Sequence, residues 1–115
     1  MATVPKLLGI GSFPNAQGAA TVVDGVNTVP ASKRWDCKVI VYNTGASART
    51  VTCGFTDSGS ALAVGEFLIN SETLASKARQ EFGIRFIPAG YVFRAGQATA
   101  DADVQWEIWG EEVDV

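Results

Sequence analysis

Two short β-branched runs flank a small polar turn near the middle of the chain, and this pattern constrains the fold more than any other. Val39-Ile40-Val41-Tyr42 comes first, Asn43-Thr44-Gly45-Ala46-Ser47-Ala48 follows, and Arg49-Thr50-Val51-Thr52-Cys53 resumes the alternation. Residues with two substituents on Cβ fit a pleated surface, and an Asn/Gly-containing break between two such runs predicts a β-hairpin with a longer loop. Val51, Cys53 and Phe55 fall on one side of the second run, Thr50 and Thr52 on the other. In the first run Trp35, Cys37, Val39 and Val41 share a side. Arg34, Asp36, Lys38, Ile40 and Tyr42 share the opposite one, polar at its start and apolar at its end. The early half of that second side therefore faces water, and the later half is covered on both faces.

The remaining chain repeats this grammar. Phe67-Leu68-Ile69 is a short apolar run. Gly83 to Ile87, Tyr91 to Ala95 and Val104 to Ile108 read as further strands, and Pro88-Ala89-Gly90 and Asp57-Ser58-Gly59-Ser60 read as turns. Gly96 to Ala102 reads as a small-residue loop, and Asp24-Gly25 predicts a tight hairpin or bulge. Val29-Pro30-Ala31-Ser32-Lys33 predicts a turn into the next strand. Residues 71–82 are two-sided. Ser71 is a helix-cap residue and Leu74, Ala75, Ala78 and Phe82 fit a helical face, yet the same stretch alternates. The all-strand context decides for extended chain. Short strands at 8–12-residue spacing predict a single all-β domain, an antiparallel sandwich of jelly-roll type over residues 20–115. Residues 1–19 hold Pro5, Gly9, Gly11, Pro14 and Gly18 around Leu7-Leu8-Gly9-Ile10, and predict an arm or an irregular edge strand.

Composition narrows the function. With 115 residues and no histidine, His-based catalysis and Cys/His metal sites are excluded. Cys37 and Cys53 both fall on core faces; free buried thiols are the expected state, with a cross-strand disulfide as the alternative. No glycine-rich segment ends in a phosphate-loop Lys-Ser/Thr, so no cofactor is expected. Asp101 and Asp103 are read as solvated loop carboxylates rather than a calcium or acid/base pair. Through residue 100 there are nine basic and six acidic side chains; from Asp101 on there are six acids and no base. That terminus is either a solvated face or a complement to a basic neighbour. No basic stripe suggests nucleic acid, no apolar run spans a membrane, and residues 1–6 do not resemble a signal peptide, so synthesis in a cytoplasm is expected.

A further pattern lies in the order of the turns and strands. Val29-Pro30-Ala31 leads to Val41-Tyr42-Asn43-Thr44, then to Arg49-Thr50-Val51-Thr52 and Leu74-Ala75. Gly83-Ile84, Ile87-Pro88-Ala89-Gly90, Ala98 to Val104 and Trp109-Gly110-Glu111-Glu112 complete it. From about residue 28 to residue 112 this resembles a family of small virion structural proteins of tailed bacteriophages. The resemblance implies a non-enzymatic, particle-bound protein present in many copies. The leading expectation is a capsid decoration (cement) protein on the head exterior, in contact with the major capsid protein and sister copies as a trimer or dimer. The alternative is a tail- or fibre-associated, receptor-binding protein; a free binding module is a third. No nucleic-acid or membrane partner is expected. The residues expected at interfaces are Leu7, Leu8, Ile10 and Phe13 of the arm, Arg49, Tyr91, the outward Trp109, and the acidic Glu111 and Glu112. Lys77 and Arg79 join Arg49 as cations available to an acidic partner surface.

Overall fold

The computed structural model describes residues 6–13, 28–57, 67–97 and 103–115. They form seven strands: β1 (Lys6–Ser12), β2 (Lys33–Asn43), β3 (Arg49–Asp57), β4 (Phe67–Leu74), β5 (Arg79–Ile87), β6 (Tyr91–Gln97) and β7 (Val104–Asp114). One antiparallel sheet has the order β1-β7-β2-β5, the other β4-β3-β6. The chain is all-β, as the alternation predicts. The expected Asp24-Gly25 hairpin, the Ser58-Gly59-Ser60 part of the turn and residues 98–102 of the loop lie outside the described residues; Gly96 and Gln97 belong to β6.

The core lies between the sheets. Trp35, Cys37, Val39 and Val41 of β2 and Val104, Trp106 and Ile108 of β7 face Val51, Cys53 and Phe55 of β3 and Phe93 and Ala95 of β6. An aromatic ladder crosses the gap. Phe55 meets Phe93 edge-on at 5.2 Å between ring centroids, and Phe93 meets Trp106 at 4.8 Å. Edge-on and tilted contacts set the positive ring edge against the negative face, which adds to what burial alone contributes. Both thiols are free and buried. Burial pushes each up to about 12.

The central pair of runs departs from expectation. β2 and β3 are not a hairpin: β2 pairs with β5 and β7, and β3 pairs with β4 and β6. Residues 44–48 instead carry the chain from one sheet to the other. The Asn43 side chain holds that corner. Its amide nitrogen donates to the Ser47 carbonyl (2.8 Å) and the Leu74 carbonyl (3.1 Å), and its amide oxygen accepts from Gly45 N–H (2.9 Å). The Asn43 backbone N–H donates to Ala78, and the Ser76 hydroxyl donates to Gly45. Asn43 thereby ties the β2–β3 crossing to the β4–β5 crossing, satisfying backbone groups that a strand pair would otherwise have satisfied. Residues 71–82 are extended with a turn in the middle. Lys77 at φ 61° supplies the left-handed step that reverses the chain between β4 and β5.

The other turns follow the local chemistry. Lys33 N–H closes on Pro30 C=O at 3.2 Å, and Tyr91 N–H on Pro88 C=O at 3.3 Å. Gly90 there has φ +86°, a conformation that glycine adopts without a Cβ penalty. Lys6–Ser12 lies as an edge strand along β7, and Phe13 after it is 1% exposed. Phe13 is thus a core residue and not an interface residue. Its backbone N–H donates to Val104, and its carbonyl accepts from the Gln97 amide, which draws the ring between the sheets.

Candidate interaction face

Cross-strand partners in a sheet project to the same side, so the register assigns each residue to a face. On the outer side of the four-stranded sheet, Phe86, Asp36 and Glu111 form one row. Trp109 lies between Lys38 and Leu7 in the next row, and Ile84 closes its β5 end. Glu81, Ile40, Glu107 and Ile10 form the third, and Arg79, Tyr42, Gln105 and Ser12 the fourth. Leu7 (42% exposed), Ile10 (56%), Ile84 (66%) and Phe86 (67%) are, with the terminal Val115, the exposed large hydrophobics among the described residues. All except Val115 stand on this one face.

Two β-bulges put them there. β5 spends three steps, Phe82 to Arg85, where β2 spends two, Val39 to Cys37. The extra residue reverses the strand's phase, so Phe82 leans on the core while Ile84 and Phe86 face out. β1 likewise spends two steps, Leu7 to Gly9, against one on β7. Leu7 and Ile10 therefore point outward while Leu8 packs against the core.

Between the outward side chains lies a depression of about 400 Å³, lined by Asp36, Lys38, Ile84, Phe86, Trp109 and Glu111, with Cys37 and Gly110 at its floor. Gly110 is required at the floor. A Cβ there would sit 2.7 Å from Cys37 Cα and closer still to the Asp36 carbonyl oxygen, so any side chain would force β2 and β7 apart.

The charges on this face are mostly paired with one another. Arg34 donates to both Asp36 oxygens, at 2.6 and 2.9 Å, and its guanidinium lies 5.7 Å from the centre of the Phe86 ring. The hydrogen bond from Arg34 holds the Asp36 carboxyl below the usual carboxylate range. Lys38 pairs with Glu81 at 3.3 Å, and Arg79 with the same carboxylate at 3.6 Å. Trp109 Nε1 donates to Glu107 at 2.7 Å and Tyr42 to Gln105 at 3.2 Å. Such exposed pairs contribute little stability singly, but they leave the face close to neutral. Ile40, only 7% exposed, sits among Arg79, Glu107 and Trp109, which explains why the later half of β2 is covered on both sides.

The remaining residues expected at interfaces are scattered. Arg49 is half-buried and pairs with Asp103 at 3.2 Å, which ties the start of β3 to the start of β7. Tyr91 packs against the core at the start of β6. Glu112 points inward and accepts from Trp35 Nε1 at 3.4 Å. Lys77 donates to the Thr44 carbonyl, and Lys33 pairs with Asp114. Much of the acidic terminus is therefore engaged within the chain. Asp101 lies outside the described residues. Among the described residues no three His, Cys, Asp or Glu side chains come together. The sequence reading named Leu7, Ile10, Trp109 and Glu111 of this face and missed Ile84 and Phe86. No protein-family model, curated protein or solved structure matches the chain.

Proposed function

We propose that this chain is a non-enzymatic bacteriophage virion structural protein, and that it decorates and stabilises the capsid through repeated contacts with the major capsid protein and sister copies. The observation that carries this reading is the collection of Leu7, Ile10, Ile84, Phe86 and Trp109 on one sheet face. An apolar surface of this kind on a soluble chain marks an interaction site. The topology supports the same reading. β1 and β2 share one sheet and β3 and β4 the other, and the chain crosses between sheets at β2–β3, β4–β5, β5–β6 and β6–β7. That makes a β-sandwich, the class to which the jelly rolls of capsid and lectin domains belong. Many weak contacts, summed over a shell, give large total stabilisation without any single tight site.

Quantitative mass spectrometry of purified particles tests the proposal. The expected result is one copy, or a simple fraction of one, per major capsid subunit. A ratio of a few per cent would move the protein to the tail and make receptor binding the working reading. Absence from particles would remove both.

A further inference from the structure

We propose that the outer face of the β1-β7-β2-β5 sheet is occupied by the same face of a second copy of this chain, as a two-fold, face-to-face dimer. The inference deepens the reading of this face as an assembly surface and names its partner; it does not depend on where the assembly resides.

Three observations favour a second copy. The first is size. Strands about 4.8 Å apart and about 3.4 Å per residue make four strands of some nine residues a plane of roughly 19 by 30 Å. With side chains standing out of that plane, the accessible area approaches the roughly 800 Å² per partner of a stable interface.

The second is charge. Arg34, Lys38 and Arg79 stand against Asp36, Glu81, Glu107 and Glu111, and most are already paired within the face. A surface evolved for a strongly acidic or basic partner would carry unpaired charge of one sign. A two-fold interface sets a surface against itself, so that surface must be nearly neutral.

The third is the state of the edges. A sheet joins a second copy either edge to edge or face to face, and here both edges are blunted. β1 and β5 each carry a bulge, and each bulge interrupts the regular row of backbone donors and acceptors that a new strand would need. Arg85 on β5, opposite Cys37, adds an exposed charge on the inward side of that edge strand. The same bulges turn Ile84, Phe86 and Leu7 onto the outer face. The device that closes the edges therefore builds the face. Two such faces stacked about 10 Å apart would interleave their outward side chains as the two sheets of a sandwich do.

Sedimentation equilibrium of the full chain tests this. The mass expected at micromolar concentration is twice 12.1 kDa. Ile84→Glu and Leu7→Glu, at exposed positions, are each expected to raise the dissociation constant at least tenfold with unchanged far-UV circular dichroism and, compared at a dilution where every protein is monomeric, an unchanged melting temperature. Thr50→Glu, exposed on the other sheet, is expected to leave the dimer intact. A monomer at 100 µM or above, a trimer, or a dimer indifferent to both face variants would overturn the inference. A monomer that is nonetheless present on particles at capsid stoichiometry would overturn the dimer alone. A dimer absent from particles would leave the dimer standing and remove the virion reading.

Discussion

Trp106→Ala is expected to lower the unfolding free energy by about 3–5 kcal/mol, the range for emptying a large aromatic site in a closed core. The position warrants the full range. Trp106 is 1% exposed and ends the aromatic ladder that joins the two sheets through Phe93 and Phe55. Its indole also lies directly beneath β1. A Cβ at Gly11 would fall 2.7 Å from the ring, so β1 is seated on the indole and loses its support with it. Against a total stability of about 5–15 kcal/mol, the loss removes a third or more in a typical case. The expected fall in melting temperature is roughly 12–20 °C. Trp106→Phe separates ring from volume. It keeps a partner for Phe93 and deletes an indole N–H that has no hydrogen-bond acceptor among the described residues, so its cost is expected to be well under half that of alanine. Equal losses for the two variants, measured by urea unfolding, would contradict this account of the core.

The second large effect is alkaline. Cys37 and Cys53 have thiols pushed up to about 12 by burial, from an ordinary value of 9.0. For Cys37, the nearby Asp36 carboxylate adds to the shift and Arg85 opposes it. For Cys53, a backbone hydrogen bond from Ile69 opposes it. A raised folded value means that the unfolded chain releases these protons first. The thiols' contribution is whole below about pH 9 and is lost as pH climbs towards 12. The slope is about 1.4 kcal/mol per pH unit for each thiol, or roughly 5 kcal/mol for the two by pH 11. Urea unfolding between pH 8 and pH 11 is expected to show this fall. In a Cys37→Ala, Cys53→Ala double variant the curve starts lower, because of the cavities, and runs much flatter. A slope unchanged by the double substitution would show that other groups carry the alkaline loss.

Much of the sandwich was legible because its central strands obey strict alternation. Trp35, Cys37, Val39 and Val41 face inward as their spacing demands, and Trp109 faces outward for the same reason. Residues 71–82 show why local propensity alone misleads. A Ser cap and a helical spacing of apolar residues are present there, yet Leu74 and Ala78 serve the sandwich from the two ends of a turn. The partnering of β2 and β3 was not legible. The Asn43-Thr44-Gly45 signal specifies that the chain turns, and it reads alike whether the next strand pairs with the last or crosses to the facing sheet. The deciding contacts, from Asn43 to Leu74 and Ala78, come from more than 30 residues away. Phe13 was assigned to a partner surface because glycines and prolines surround it; the carbonyl contact with Gln97, 84 residues on, seats it in the core.

The exposed apolar face was half legible for a single reason. Sequence period assigns a face only while the strand stays in phase. Trp109 lies on the regular β7 and was placed correctly. Ile84 and Phe86 lie beyond the bulge in β5, where one extra residue exchanges inside for outside, and periodicity carries no trace of that residue.

Hydroxyl-radical footprinting of the protein in its assembled state, scaled to the reactivity of each residue in the urea-unfolded chain, tests the central claim most directly. Within one chain Ile84, Phe86 and Val115 are exposed to nearly the same degree, at 66%, 67% and 70%, so Val115 serves as an internal reference. If the outer sheet face is an assembly surface, labelling of Ile84, Phe86 and Leu7 falls several-fold below that of Val115. Scaled labelling of Ile84 and Phe86 equal to that of Val115 would show the face open to water in the assembled state, and would contradict the claim.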